Sequence, residues 1–383
     1  MRPISVYIHF PWCLQKCPYC DFATRPISRA DVPHRDYADA LLRELAMRAP
    51  ALRDASLVSV FFGGGTPSLW DAKELERVRN AILQSFAHVT DDVEVTVECN
   101  PSSLNREKAK ALVGIGVNRV SIGVQSLNDA RLRYLGRLHD TDGALCAVSE
   151  AMEEVPRVSA DLMFGMPEQS GSDFAAEVTR LLSLGLRHVS AYSLTIEPNT
   201  QFGALAKKGR LPLAIEDDVA ECFAQGRSAF AEQGLLPYEV SNYAVPGEEA
   251  RHNQHYWRGG AYLGLGAGAV GCLPTDGASA RRYRNNADPA HYMQNASRNE
   301  VEDFEECLSP EDRVREALML GLRTREGMHL DHVRSELKID PLIERQKALQ
   351  KRLATGDVVL EDGFLRVPSE RWLTLDSIVR DLF

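Results

Sequence analysis

Short runs of apolar, mostly β-branched residues recur along the first half of the chain. Several of these runs are almost continuously apolar, which is typical of strands that are covered on both faces of a sheet. We predict six strands from them, over 4–10, 57–62, 93–98, 119–124, 158–163 and 188–194.

The segments between these runs carry apolar residues at helical spacing. In 70–86 the stripe contains Leu75, Val78 and Ile82, and Ser68 is the predicted N-cap. Six successive strand–helix units predict a parallel sheet with right-handed crossovers. Because about eight units close a full barrel, we predict an α/β fold built as a partial (β/α)6 barrel, with a flat doubly wound sheet as the alternative. The predicted helices cover 34–48, 70–86, 104–113, 128–135, 141–154, 172–185 and 216–234.

The pattern changes after about residue 237. The barrel is predicted over 1–236 and is followed by a connecting segment, 237–302, in which we find no clear periodicity. The last part, 303–383, combines helical patterns with a hairpin around Asp362-Gly363. We predict a smaller C-terminal α+β module there that resembles a winged helix.

Composition narrows the function classes. The net charge is −10, which argues against general affinity for nucleic acid or for anionic membranes. The chain lacks an apolar run of about 18 residues and a signal-peptide pattern at its start. We therefore expect a cytosolic protein with reduced thiols. Five cysteines stand alone and are predicted to be small buried apolar residues: Cys99, Cys146, Cys222, Cys272 and Cys307.

Polar residues and glycines follow the carboxyl ends of the predicted strands, where α/β proteins collect their functional groups. "FFGGGTPS" ends the second strand and "VECNP" the third. The fourth strand is followed by Gln125, and Asp161 lies in the fifth. Tyr192 and Thr195 lie at the end of the sixth. We predict a single site built at this edge of the sheet.

Three cysteines follow the first strand in the pattern C-x3-C-x2-C: Cys13, Cys17 and Cys20. A structural zinc site takes four ligands, usually from paired C-x2-C units, and the chain has no second pair. His9 is nearby but lies within the strand. Thiolate ligation of a [4Fe–4S] cluster fits best: three cysteines hold three irons and leave the fourth iron open to a small chelating ligand.

At this point the sequence resembles the radical S-adenosylmethionine (SAM) enzymes. Their cysteine motif has an aromatic residue at the position of Tyr19, and "GGGTP" is similar to their glycine-rich segment. In that family the fourth iron is chelated by the amino and carboxylate groups of SAM. Carried over by position, the resemblance implies that the cluster is held by Cys13, Cys17 and Cys20, and that the SAM site contains Tyr7, Tyr19, Gly64, Gly65, Thr66, Glu98, Gln125, Arg137 and Asp161.

The resemblance extends to a particular branch. "NRVSIGVQS", "DLMFGMP" and "LTIEPNT" are similar to the branch that contains oxygen-independent coproporphyrinogen III oxidase. "HNQHYW" at 252–257, followed by "YLGLGAGAVG", resembles the HemW group of this branch, which is regarded as a haem chaperone. The resemblance implies three cofactors or ligands: the cluster, SAM and haem.

Two functions remain open: haem delivery, and radical SAM decarboxylation of coproporphyrinogen III. The oxidase loop usually has a further cysteine where this chain has Phe22, and only twelve residues precede Cys13. Imidazole is a common axial ligand of haem iron, so His252 is the first candidate ligand and His255 the second. Val270 stands where relatives often have histidine. A radical SAM methylase is less favoured, because the chain has no extra cysteine pair for a methyl carrier.

We therefore predict a haem chaperone that binds haem, SAM and the cluster and passes haem to an acceptor protein. Whether it also acts as an enzyme stays open. The acceptor is not identified by the sequence, and a peripheral docking face on a membrane-associated acceptor needs no spanning helix. A nucleic-acid partner is not expected.

Overall fold

The computed structural model describes residues 1–275, 278–296, 298 and 300–383. The strands are β1 Arg2–Phe10, β2 Trp12–Cys13, β3 Arg25–Pro26, β4 Ala55–Gly64, β5 His88–Cys99, β6 Arg119–Gln125, β7 Arg157–Phe164, β8 His188–Ser193, β9 Leu236–Glu239, β10 Asn242–Ala244, β11 Ala261–Leu265, β12 Val270–Pro274, β13 Ala280–Asn285, β14 Glu302–Leu308, β15 Met328–His329, β16 Val359–Glu361 and β17 Phe364–Arg366.

The helices are α1 His34–Arg48, α2 Ala72–Ser85, α3 Arg106–Gly114, α4 Asp129–Tyr134, α5 Thr141–Glu154, α6 Gly171–Leu182, α7 Gln201–Ala206, α8 Glu216–Glu232, α9 Arg251–Trp257, α10 Pro289–Asn295, α11 Pro310–Gly321, α12 Leu330–Leu337, α13 Gln346–Ala354 and α14 Leu375–Asp381. Short 3-10 turns lie at Arg29–Asp31, Ala49–Leu52, Pro67–Leu69, Pro101–Ser103, Ile343–Arg345 and Ser369–Thr374.

All six predicted strands are confirmed, as β1, β4, β5, β6, β7 and β8. They pair in parallel in this order, and β11 adds a seventh parallel strand on the other side of β1. Antiparallel strands extend both ends: β12, β13 and β14 beyond β11, and β10 and β9 beyond β8. The parallel α/β architecture is therefore the predicted one, with one more strand than expected.

Side chains alternate between the two faces of the parallel strands. In β6, Val120, Ile122 and Val124 pack into the apolar core under the helices. The intervening residues face inward and are polar or small; the Ser121 hydroxyl, for example, donates to Asp161 of β7 at 3.1 Å. The inner face is thus a polar interior, whereas the outer face supplies the main hydrophobic core.

The crossover helices are also confirmed, with one correction at α2. The predicted N-cap, Ser68, lies instead in the 3-10 turn Pro67–Leu69, where its hydroxyl is 2.6 Å from that of Ser103. Asp71 caps the helix, because its carboxylate accepts a hydrogen bond from the N–H of Lys73 at 2.8 Å.

The segment 237–302 contains regular structure that its sequence pattern does not indicate. Five strands and two helices lie wholly within it or begin in it, and β11 pairs with β1 along Ile4–Ile8. The strands are short and their neighbours are distant in sequence, so no local period marks them. The three-part division of the chain stays a prediction.

The C-terminal residues form a second hydrophobic core. Val314 and Leu318 of α11, Val333 of α12 and Leu365 of β17 are among its buried members. Strands β15, β17 and β16 form a small antiparallel sheet, and β16 and β17 are joined by the predicted turn at Asp362 and Gly363. Helices α11, α12, α13 and α14 together with this small sheet form the smaller C-terminal α+β module that was expected.

Candidate functional site: the cysteine cavity

The cysteine loop is held at the carboxyl end of β1. Strands β2 and β3 pair beside Cys13, and the N–H of Ile27 donates to the Cys13 carbonyl at 2.9 Å. The glycine-rich segment after β4 lies directly against this loop. The N–H of Gly65 donates to the Phe10 carbonyl at 2.7 Å and that of Thr66 to the Trp12 carbonyl at 2.8 Å. Backbone contact therefore joins the two predicted motifs.

A cavity of about 320 Å³ opens above the parallel strands at this edge. Eleven of the fourteen predicted site residues lie on its wall: Cys13, Cys17, Tyr19, Cys20, Gly64, Gly65, Thr66, Glu98, Gln125, Arg137 and Asp161. These residues come from the loop after β1 and from the ends of β4, β5, β6 and β7, with Arg137 after α4. The structure therefore brings them together at the predicted edge.

Arg137 connects the cysteine loop to β6. One guanidinium nitrogen, Nη2, donates to the Gly123 carbonyl at 2.7 Å, and Nη1 lies 3.5 Å from the Cys17 sulfur. A Cβ at position 123 would lie 2.9 Å from the Gln125 amide nitrogen and 3.2 Å from Arg137 Nη2, so a side chain here would push these two groups out of position. Arg137 Nε is buried without a hydrogen-bond partner among the described residues.

Two buried carboxylates face the same cavity. Burial, and to a smaller extent the nearby Asp161 carboxylate, raise the pKa of Glu98 to about 7, although the Gly64 N–H, which donates to Glu98 at 2.9 Å, opposes this rise. Burial also raises the pKa of Asp161, against the hydroxyls of Ser190 and Ser121. Gly64 has φ +105°, a conformation that favours glycine.

Tyr7 does not line the cysteine cavity. Its hydroxyl lies 3.0 Å from His9 Nδ1, and His9 Nε2 lies 3.1 Å from the Ala23 carbonyl. Because the carbonyl can only accept, Nε2 carries the proton and Tyr7 donates to Nδ1. Burial lowers the pKa of His9 to about 4, so the ring is neutral at pH 7. Tyr7 and His9 therefore tie β1 to the end of the cysteine loop.

The cavity fits the donors that an iron–sulfur cluster requires. Its wall carries three thiols together with an arginine that contacts one of them. Burial raises the pKa of Cys13 to about 11 and raises that of Cys20, so these thiols are protonated until metal displaces the proton. Within the described residues, no three His, Cys, Asp or Glu side chains converge on a single metal ion. In a cluster each thiolate binds its own iron.

The two histidines of "HNQHYW" lie elsewhere, in α9. The His252 ring is buried, its Nδ1 is 2.8 Å from the Ser59 hydroxyl, and it stacks on Phe61 with ring centres 4.8 Å apart. His252 Nε2 is buried with no partner among the described residues. His255 Nε2 lies 2.8 Å from the Ala261 carbonyl. Neither histidine lines the cysteine cavity.

Other residues of the same motif line a second, larger cavity of about 650 Å³. It lies between the two ends of the parallel sheet and helices α11 and α12. Asn253, Tyr256 and Trp257 contribute to its wall, and Tyr192 of β8 lines both cavities. The sheet is therefore curled and open, as a partial barrel requires.

Sequence reasoning missed several residues on the wall of the cysteine cavity, including Ser121 and Met163. Ser121 pairs in register with Glu98, and Met163 lies two residues after Asp161 on the same face. The alternation of a strand could have indicated both. Of the single cysteines, Cys99 and Cys222 are buried as predicted, Cys146 and Cys307 are exposed, which contradicts the prediction, and Cys272 is half-buried.

Two protein-family models match parts of the chain. "Radical SAM superfamily" matches residues 7–181, and "HemN C-terminal domain" matches residues 308–373. The first covers β1 to α6, including the cysteine loop. The fold and this motif define a protein of the radical SAM superfamily.

Curated relatives identify the family within it. The heme chaperone HemW of Haemophilus influenzae is 37% identical over 77% of this chain and 76% of its own length, and that of Escherichia coli is 36% identical over 77% and 76%. Radical S-adenosyl methionine domain-containing protein 1, mitochondrial, of Bos taurus is 35% identical over 99% of this chain and 87% of its own. The chain belongs to the HemW family.

The fold is also shared with a solved structure. Coproporphyrinogen III oxidase (HemN) from Escherichia coli superposes with a TM-score of 0.83, covering 100% of this chain and 90% of that one at 21% identity. This likeness concerns the fold. Within the described residues, no helix is both long and apolar enough to cross a membrane.

Proposed function

We propose that this protein binds haem and passes it to an acceptor protein, and that it holds a [4Fe–4S] cluster and SAM in the cysteine cavity. The observation that carries the cofactor proposal is the shared wall: three thiols lie on one cavity with the glycine-rich segment and two buried carboxylates. The family's curated members, named heme chaperones, support the haem proposal.

In this proposal Cys13, Cys17 and Cys20 hold three irons of the cluster. The Arg137 guanidinium, next to Cys17, provides an uncompensated N–H for an anionic group such as the methionine carboxylate. Backbone groups of Gly64–Thr66 are available to the methionine ammonium. A cluster held by these three cysteines would supply one-electron chemistry next to SAM.

The two buried carboxylates would bind the ribose of SAM through hydrogen bonds. Glu98 and Asp161 are buried side by side, and their raised pKa values favour hydrogen bonding over a pair of full charges. Both can accept from ribose hydroxyls. Gln125, in the left-handed conformation with φ +72°, projects from the irregular end of β6 into the same cavity.

The acceptor is proposed only as a protein that takes haem. Peripheral docking on a membrane-associated acceptor remains part of this proposal.

Anaerobic reconstitution tests the proposal. We expect the wild-type protein to bind iron and sulfide in equal amounts and one haem per chain, and to transfer that haem to an apo haem protein. Replacing Cys13, Cys17 and Cys20 with serine should remove the cluster signal in electron paramagnetic resonance. Cys146→Ser is the matched control, because Cys146 is exposed on α5. Zinc in place of iron would contradict the cluster proposal, and SAM-dependent decarboxylation of coproporphyrinogen III would contradict the chaperone proposal.

A further inference from the structure

The larger cavity has the size and position of a ligand site. Its volume of about 650 Å³ lies in the middle of the range for pockets that bind organic ligands, roughly 300–1,000 Å³. One wall is formed by α9 and by strands β11, β12 and β13, and the opposite wall by α11 and α12. Tyr192 separates it from the cysteine cavity. The cavity is therefore distinct from the proposed SAM site and adjacent to it.

Aromatic side chains form much of the inner wall. Tyr256 and Tyr262 meet edge to face with ring centres 4.5 Å apart, and Trp257 lies on the same wall. Tyr256 also packs against His252, with ring centres 4.8 Å apart. Flat, rigid aromatic surfaces of this kind suit a planar apolar ligand.

The cavity also carries cationic groups for acidic substituents. Arg313 of α11 donates to the Ala278 carbonyl at 2.8 Å, and its only carboxylate partner among the described residues, Glu336, is 3.5 Å away and half-exposed. The Arg313 side chain is only 15% exposed and this pair is long, so Arg313 can also pair with an anionic group in the cavity. Arg282, on β13, is held by Glu306 and Glu316 at the same wall. A planar ligand with carboxylates meets both requirements of the cavity.

Cys272 supplies a metal ligand within this wall. It lies directly opposite Tyr262 in the antiparallel β11–β12 pair, so both side chains are on the cavity side of the sheet. Burial raises the pKa of this thiol, and Arg282 lowers it. Thiolate is one of the recurrent axial ligands of haem iron, and iron binding releases the thiol proton.

We propose that one haem occupies this cavity, with the Cys272 sulfur bound to its iron and a propionate at Arg313. This inference deepens the proposed function and rests on it. On binding, the S–H bond of Cys272 breaks, the sulfur–iron bond forms, and the proton passes to solvent. Tyr256 and Trp257 of "HNQHYW" serve as the aromatic wall, which gives the motif a role in haem binding through its rings.

The histidines of the motif have less access to this cavity. His252 and His255 are absent from its wall, and each has a ring nitrogen engaged by Ser59 or by the Ala261 carbonyl. The His252 ring is buried between Phe61 and Tyr256, with its centre 4.8 Å from each of theirs, so a haem at His252 would require these rings to move. The assignment to Cys272 requires no such movement.

Titrations with haem and with metal-free protoporphyrin IX test the cavity and the Cys272 iron ligand separately, because protoporphyrin IX has no iron for the thiolate to bind. The full-length protein is titrated by absorbance and fluorescence, and ferric haem complexes are examined by electron paramagnetic resonance. We expect Cys272→Ser to lose the thiolate signature of the haem complex and to retain protoporphyrin binding. Ala317→Trp, which fills the cavity from α11, should lose both ligands. Ala224→Trp, on the exposed face of α8, is the matched control and should bind both.

The outcomes distinguish the two proposals. Wild-type protein that binds no haem contradicts the proposed function itself. Wild-type protein that binds haem, with an unchanged spectrum in Cys272→Ser or unchanged binding in a folded Ala317→Trp, overturns only the assignment to this cavity. Loss of the axial-ligand signature in His252→Ala, with Cys272→Ser unaffected, also overturns it. Cluster content of each variant verifies folding.

Discussion

Glu98 is the residue at which the electrostatics of the cysteine cavity are most directly measurable. It is buried at the end of β5, accepts a hydrogen bond from Gly64, and lies near the second buried carboxylate, Asp161. Burial of both carboxylates disfavours their charged forms in the folded chain. The free energy of unfolding therefore depends on the protonation state of Glu98.

We expect Glu98→Gln to flatten the pH dependence of stability. The pKa of Glu98 rises on folding from 4.5 to about 7, so between these pH values the folded state binds more protons than the unfolded state. Stability from this group is present below pH 4.5 and is lost as pH rises through 7. Chemical denaturation of the cluster-free protein should show a loss on the order of 3 kcal/mol that the variant lacks.

The control for this experiment is Glu107→Gln, since Glu107 is exposed on α3. Its pH profile should follow that of the wild type. A Glu98→Gln profile parallel to the wild type would mean that the carboxylate is solvated in the folded chain.

At the scale of elements, α9 is held by a buried side chain from the sheet. Its N-cap residue, Ala250, has no side-chain acceptor. The Glu94 carboxylate of β5 takes that place: it accepts from the N–H of Arg251 at 3.1 Å and of His252 at 3.0 Å, and it pairs with Arg157 at 2.6 Å. Glu94 therefore couples the helix that carries "HNQHYW" to the inner face of the sheet.

Glu94→Ala should loosen α9 and destabilise the protein. It leaves two helix N–H groups without acceptors, at a cost of roughly 1 to 3 kcal/mol each, whereas Arg157 keeps its pair with Glu248. Hydrogen exchange of the α9 amides and the free energy of unfolding measure the two effects. Glu94→Gln retains an acceptor oxygen and should lose less of both. Unchanged exchange in α9 for the alanine variant would contradict this account.

At the scale of the whole molecule, an ion pair with a buried carboxylate links the C-terminal core to the barrel. Arg323, just after α11, lies 3.1 Å from the fully buried carboxylate of Glu239 and 4.8 Å above the centre of the Trp257 ring. Glu239 also accepts from the Ser241 N–H and the Asn242 amide. The same residues border the larger cavity, so the junction and the cavity depend on one set of contacts.

We expect Arg323→Met to weaken this junction by roughly 1 to 3 kcal/mol, because it removes the arginine partner of the buried Glu239 carboxylate, which keeps its Ser241 and Asn242 donors. Unfolding in denaturant should begin earlier, and the α11 amides should exchange faster. Arg258→Met is the matched control: its pair with Glu326 is at 2.9 Å but more than half of the Arg258 side chain is exposed, so a change below about 1 kcal/mol is expected. Equal effects of the two variants would contradict the role of the Arg323–Glu239 pair.

Local patterns were sufficient for the parallel core and for most of the cysteine cavity. Apolar strand runs are a property of neighbouring residues, and the carboxyl ends of parallel strands necessarily meet at one edge. That is why the sequence alone places Glu98, Gln125 and Asp161 on one wall with the three cysteines. The predicted N-cap of α2 was wrong, because Ser68 belongs to the 3-10 turn that precedes the helix.

The sequence by itself determined the repeating strand–helix unit, the cysteine motif and the edge of the sheet at which the other site residues lie. Only the tertiary structure decided that β11 joins β1, that a second cavity forms between the two sheet ends, and that His252 packs on Phe61 while the half-buried Cys272 lines that cavity. These features depend on contacts between residues far apart in the chain. Short strands with distant partners leave no period in the sequence, and a side chain's exposure is settled only when the elements around it have packed.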